Sequence, residues 1–232
     1  MAFYIRGYER TELPSAGCTI EKPRSVITGQ YTERINRYSG SSDFLLIQVV
    51  FLPGVLYRLT GIPAYELRNS FVDLEDVFPK QAKALTESLR ECMHYHEMIN
   101  LIENFLTDVH HRQKVEETPA DEIFRVMFRQ PTYYSVDWLA KEACLSQRQF
   151  ERKANNQVGV SPKLFTRISR FVQSYDFKLK HPHVDWLRVA VEYDYHDYQH
   201  LVKDYKEFAG SAPNELFSAE SGALERRLGL NK

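Results

Sequence analysis

A chain of 232 residues is long enough to bury a sizeable core, as one large domain or two small ones. Its 43% hydrophobic and 26% charged residues read as an ordinary globular protein, and a formal net charge of −1 argues against a wholly basic nucleic-acid binder. The longest apolar run, "FLLIQVVFL" (Phe44 to Leu52), holds a Gln and falls short of the ~18 to 20 residues of a membrane span, so no membrane partner is expected.

The N-terminus "MAFYIRGYERTELP" carries charges where an export signal would have its apolar core. Three cysteines (Cys18, Cys92, Cys144) lie far apart without CxxC spacing, which suits free thiols and a cytoplasmic location. The first forty residues mix Gly, Ser, Pro and aromatics, with a turn signal at "YSGSSD". "SVITGQYTERINRYSG" and "DFLLIQVVFLPG" read as two or three strands, ended by Pro53-Gly54. Helical patterns follow: "VLYRLTG", "IPAYELRNSF", "PKQAKALTESLRECM" and "YHEMINLIENFLTDVHHR". The last places Met98, Leu101, Ile102, Phe105 and Val109 at helical steps. "RQKVEETPA" is charged and ends in Thr-Pro, the best boundary in the chain. Beyond it nearly everything reads as helix. The expected division is 1–111 as an α+β sensor or assembly domain, 112–120 as linker, 121–218 as an all-α domain and 219–232 as a tail.

The charge is uneven. Residues 1–117 carry 13 Lys and Arg against 16 Asp and Glu, residues 141–180 carry nine against three, and residues 181–220 three against eight. A local positive field of this kind can guide DNA in a neutral protein. The same region holds an internal echo. "VDWLAKEACLSQRQFERKANNQVGVSPKLF" and "VDWLRVAVEYDYHDYQHLVKDYKEFAGSAPNELF" each open on Val-Asp-Trp-Leu, break, start a second polar helix and end in Gly-x-Ser-Pro or Gly-Ser-Ala-Pro before a phenylalanine. Asp137 and Asp185 suit N-caps, and Pro162 and Pro213 first-turn positions. Helix, short turn, helix is the helix-turn-helix plan. In a helix starting after Ser146, Arg148, Glu151, Arg152 and Asn155 share one face while Phe150 and Ala154 share another.

These two half-motifs resemble the DNA-binding domain of AraC/XylS-type transcription regulators over roughly Ala120 to Phe217. "VFLPGVLYRLTGIPAYELRNSFVDLEDVF" also resembles a poorly characterised domain found in front of such modules. Its members usually carry more sequence before this point, so this chain is expected to start partway into its sensor half. The resemblance implies an α+β N-terminal domain followed by an all-α domain with two helix-turn-helix units. The helix from Pro162 to Lys180 joins them, setting two recognition helices into successive faces of the major groove. It implies a sequence-specific regulator with duplex DNA as partner. RNA polymerase, a small-molecule effector and a second copy of the chain are further partners it admits, and regulation works through their differential affinity.

On this mapping Arg148, Glu151 and Arg152 contact bases, Arg pairing with guanine and Glu accepting from cytosine, with Asn155 on the same face suited to adenine. Gln147, Ser161, Lys163 and Arg167 lie near phosphates. In the second unit Tyr198, Gln199, Val202 and Lys203 face a groove. Their helix also carries Asp204 and Glu207, with Asp197 just before it, so the first unit should dominate. Where the family usually has a large aromatic, this chain has Ala154, which leaves space unless a neighbour fills it.

Other chemistry has weaker support. Eight histidines include His196 and His200, four apart, but none has a companion ligand at a defensible spacing, so no metal or cofactor is expected. GxSxG, GxGxxG and GxxxxGK[ST] are absent, no catalytic residue is assigned, and Cys92 and Cys144 read as core fillers. Tyr31, Phe44, Phe51, Tyr57, Tyr65 and Phe71 read mostly as core, with a ligand pocket as the alternative. The bland reading of the basic helix is a solvated face. The runner-up function is a protein-interaction or sensor module with a degenerate second helix-turn-helix, and an enzyme using the aromatic pocket stands third.

Overall fold

The computed structural model describes residues 1–13, 17–112, 115–131 and 134–221. Residues 113 and 114 of the expected linker and 222–232 of the expected tail lie outside them. Six strands come first: β1 (Ala2–Arg6), β2 (Glu9–Leu13), β3 (Cys18–Glu21), β4 (Ser25–Thr28), β5 (Asn36–Ser39) and β6 (Leu45–Gln48). Then come α1 (Val55–Thr60), a single 3-10 turn (Ala64–Leu67), β7 (Phe71–Asp73), α2 (Leu74–Val77), α3 (Pro79–Glu91) and α4 (Tyr95–His111). The rest is helical: α5 (Pro119–Arg129), α6 (Val136–Glu142), α7 (Gln147–Val158), α8 (Pro162–Lys180), α9 (Trp186–Glu192), α10 (Tyr198–Ala209) and α11 (Pro213–Ser221). An α+β N-terminal part is thus followed by an all-helical C-terminal part. No described helix is long and apolar enough to cross a membrane.

The described residues pack as two compact units. The first gathers Met1–Tyr31, Ile35–Val126 and Ser135–Pro162, so it holds the strands, α1 to α4, most of α5, and the pair α6 and α7. The second gathers Thr32–Arg34, Met127–Tyr134 and the chain from Lys163.

In the first unit two antiparallel sheets form, in the orders β6-β1-β4-β7 and β3-β2-β5. Successive side chains of a strand point to opposite faces, and β1 buries both. Phe3 and Ile5 join the main core with Ile27, α3 (Ala82, Leu85, Leu89) and α4 (Met98, Ile102, Phe105, Val109). Tyr4, with Val26, packs under Phe44, Leu46 and Phe71. Four of the five residues that define the apolar stripe of α4 are buried, and Leu101 packs beside them. The strands β1 to β3 carry no clear apolar alternation: β1 buries both faces, β2 buries the charged Glu9 beside Thr11, and β3 is mostly exposed. The Glu9 carboxylate accepts from Lys22 Nζ at 2.8 Å, from Arg37 Nη2 at 2.6 Å and from the Tyr4 hydroxyl at 2.9 Å. Burial alone would raise its pKa, but hydrogen bonds from Arg37 and Lys22 outweigh that and hold it below the usual carboxylate range.

A second buried ionic group ties α1 to α5. Arg58 Nη1 donates to Asp121 Oδ1 at 2.5 Å, and the other carboxylate oxygen accepts from the Thr118 amide and hydroxyl, each at 2.8 Å. Asp121 is fully buried. From α7, Lys153 Nζ donates to the same Thr118 hydroxyl at 2.8 Å. Charges this deep persist only when partnered, so the group fixes where α5 and α7 sit against α1.

The second unit has an aromatic core in which Trp186, Tyr195 and Tyr205 are buried beside Phe171, Tyr175, Phe177 and Phe217. Tyr205 sits edge-on to Phe171 at 4.8 Å and to Trp186 at 5.3 Å.

Candidate nucleic-acid interface

Each of the two helix pairs turns in the same way. In the first, Cys144 takes φ 56° and the Leu145 amide donates to Ala140 O at 2.9 Å. In the second, Asp194 takes φ 56° and the Tyr195 amide donates to Ala190 O at 2.9 Å. Each second helix is capped at both ends by matching devices. Ser146 opens α7 through a capping box with Gln149, and Gly159 closes it at φ 85°. Asp197 opens α10 by accepting from the His200 amide at 2.7 Å, and Gly210 closes it at φ 72°. Pro162 and Pro213 then start α8 and α11.

The Val-Asp-Trp-Leu echo is out of step with this structural repeat. Ala140 and Ala190 are equivalent by their turns, whereas Val136 and Val184 are two residues off that spacing. Asp185 caps α9 as expected, but Asp137 does not cap α6. Ser135 does, accepting from the Trp138 amide at 3.2 Å, and Asp137 instead pairs with Lys141 at 2.7 Å. Trp186 is therefore buried while Trp138 is 42% exposed. Cys144 is also exposed rather than a core filler, because it occupies the left-handed turn position.

On α7 the inward face is Phe150, Ala154, Gln157 and Val158. Phe150 stacks on Phe124 of α5 with ring centroids 5.3 Å apart, and Ala154 is itself fully buried. The outward face carries Arg148 and Arg152, both exposed, with Glu151 and Asn155 half-buried. Gln147 Nε2 donates to Glu151 Oε1 at 3.0 Å, so this amide is committed to the carboxylate beside it.

The nine cations of the 141–180 block have very different surroundings. Lys141 and Lys180 pair with Asp137 and Asp176 on the surface. Arg170 and Lys178 are buried against main-chain carbonyls of the second unit, Arg170 on Pro131 and Asp194, Lys178 on Pro182 and Val184. Arg167 grips α10: its guanidinium reaches Asp204 at 2.6 Å and Glu207 at 2.6 Å. The Glu207 hydrogen bonds raise the Arg167 pKa, and Arg167 in turn holds Glu207 below the usual carboxylate range. Among the described residues only Arg148, Arg152 and Lys163 of the nine lack an ion-pair or hydrogen-bond partner, and all three are exposed. On α10, Gln199 and Lys203 are exposed and Val202 is half-buried, while Tyr198 packs partly into the aromatic core.

Sequence reasoning missed three residues of this surface. Tyr65 and Arg68, from the 3-10 turn and the residue after it, line one open cleft of about 760 Å³ with Arg148, Glu151, Arg152, Asn155 and the unassigned Asn156. Nothing local in "AYELRNS" signals this, since the partner helix is about eighty residues away in sequence. Among the described residues no three His, Cys, Asp or Glu side chains are grouped to hold a metal.

The fold defines a class: an α+β domain followed by a helical region built from two helix-turn-helix pairs. Solved structures share it. ToxT from Vibrio cholerae O395 aligns with a TM-score of 0.54 at 13% identity over 96% of this chain and 89% of that one. ToxT from strain SCE256 with bound unsaturated fatty acid gives 0.51 at 9% identity, over 93% and 85%. A looser likeness, TM-score 0.42 at 21% identity over 45% of this chain and 95% of that one, is to the DNA-binding domain of AdpA, a global transcriptional factor, in complex with a target DNA. These neighbours are AraC-family regulators. No protein-family model and no curated protein matches the chain.

Proposed function

We propose that this protein is a DNA-binding transcription regulator of the AraC/XylS type, in which α7 reads the major groove and α10 contributes less. The observation that carries the reading is the outward face of α7. Two exposed arginines one turn apart make no ion pair among the described residues, on a helix capped at both ends behind a turn of helix-turn-helix geometry. Arginine in such a position can pair bidentately with guanine. Arg148, Arg152 and Asn155 are the proposed base contacts, with Glu151 as a candidate for cytosine, and Gln147 and Lys163 the proposed flanking contacts. For α10 the proposed contacts are Gln199 and Lys203, with Val202 and Tyr198 at their edge. Arg167 serves as the brace between α8 and α10 rather than as an open phosphate ligand.

The fold shared with ToxT, one structure of which is bound to an unsaturated fatty acid, supports extending the proposal to a small-molecule effector acting through the N-terminal half. The capture of Arg167 by two carboxylates favours, as a second reading, a module whose second helix pair serves packing alone. Selection of duplexes from random DNA at ~50 mM salt, where a several-phosphate contact is strong, tests the main reading. A recovered sequence preference supports it, and failure to retain any duplex overturns it.

A further inference from the structure

We propose that the N-terminal half takes part directly in DNA contact: Tyr65 and Arg68 form a shoulder beside α7 that grips the phosphate backbone flanking the bases read by Arg148 and Arg152. This rests on the reading of α7 as the DNA-facing helix. The shoulder exists because Gly159 lacks a side chain. A Cβ at Gly159 would lie 2.8 Å from the Ala64 carbonyl oxygen, so the glycine that ends α7 also lets the 3-10 turn lie directly against it. Arg68 Nε then donates to Gly159 O at 2.8 Å, which holds the guanidinium at the end of the recognition helix.

The resulting cleft is charged for an anion. Arg68, Arg148 and Arg152 face it with Glu151 as the one carboxylate among its lining residues. Arg68 is satisfied by a neutral carbonyl, and Arg148 and Arg152 have no partner among the described residues. Like charges gathered this way repel one another until an anion arrives. Tyr65, 46% exposed, presents an aromatic hydroxyl of the kind that binds phosphate oxygens. The shape favours duplex DNA over a small ligand. Small-molecule sites enclose most of their ligand, whereas this cleft is open along the outward face of α7.

The test uses the full chain and a duplex selected by the wild type, with binding measured by fluorescence anisotropy from ~50 mM to ~300 mM salt. One lost phosphate contact lowers the slope of log K against log salt by about 0.9 and weakens binding roughly eightfold near 0.1 M. Arg68→Gln is expected to show both changes with base preference intact, Arg68→Lys to recover the slope, and Tyr65→Phe to weaken binding two- to threefold without unfolding risk. Arg152→Ala, by contrast, relaxes base preference. The proposal is overturned if Arg68→Gln and Tyr65→Phe bind as the wild type while Arg152→Ala does not. It is equally overturned if inorganic phosphate saturates the cleft in an Arg68-dependent way that leaves DNA affinity untouched. A wild type that binds no duplex overturns the function proposed above, a result distinct from either.

Discussion

The inward face of α7, the second helix of the first pair, carries Ala154; the equivalent point of α10 carries Tyr205, buried among Phe171, Tyr175 and Trp186. The backbones turn and cap alike, yet the support comes from different places. The second pair holds α10 through its own aromatic core and through Arg167, which spends a cation on Asp204 and Glu207. The first is thin inside and is held from outside, by Phe124 of α5, by the Arg58–Asp121–Thr118–Lys153 group and by the 3-10 turn against Gly159. With that external support, the outward arginines of α7 make no ion pair among the described residues. A duplicated unit can thus keep its geometry while one copy uses its charges for cohesion and the other presents them.

The strongest way to break this comparison is to remove each support. Asp121→Ala leaves the Arg58 charge, whose side chain is only 10% exposed, with the half-exposed Glu117 at 3.8 Å as its remaining ion-pair partner, and should cost about 3 kcal/mol in urea unfolding. Tyr205→Ala should cost a similar ~3–5 kcal/mol through its cavity. Comparable losses from an ionic and an aromatic support would sharpen the contrast, while a loss under ~1 kcal/mol for Asp121→Ala would break it. Next comes the reciprocal exchange. Ala154→Tyr puts a large ring at a position that is already fully buried, and overpacking should lower stability by about 1–3 kcal/mol. A stabilised variant would show that the thin layer is a defect.

On DNA, Arg152→Ala should lose about 1–3 kcal/mol of discrimination in competition binding. Lys203→Ala should lose less than ~1 kcal/mol, since α10 is ringed by acidic groups. Equal losses would erase the proposed asymmetry. The smallest effect is acidification. Glu207 is held below its ordinary range by Arg167, so its contribution is present above the unfolded carboxylate pKa and lost as pH falls through the lower folded value. With its side chain 42% exposed, Glu207 should account for less than ~1 kcal/mol. The difference between wild type and Glu207→Gln in thermal midpoint, measured from pH 6 to pH 3, should shrink over that range.

Much of the helical architecture is legible in the residues themselves. Ser146, the Phe150 and Ala154 spacing and the Gly159-x-x-Pro162 exit define α7 before any coordinates, because caps and periodicity are local. The strands β1 to β3 are not legible, since they are short and what β2 buries includes the Glu9 carboxylate, paired with Lys22 just beyond β3 and with Arg37 of β5. The basic block is legible only as a total. Which of its nine cations stay open depends on carboxylates and carbonyls elsewhere in the chain, such as Asp204 for Arg167. The literal Val-Asp-Trp-Leu repeat even misleads by two residues, because Ser135 decides where α6 begins. Tyr65 and Arg68 are invisible for the same reason: only the packing of a distant turn on Gly159 brings them to α7.

The bond from Arg68 to the Gly159 carbonyl also has an entropic side. A surface arginine free to explore its rotamers carries roughly 2 kcal/mol of side-chain entropy, and a ligand that pins it must overcome that loss. Here much of the freedom is surrendered during folding, when the 3-10 turn settles against the helix end. The arginine meets its partner already aimed, so a single ionic contact can keep more of its intrinsic strength than a mobile lysine at the same spot.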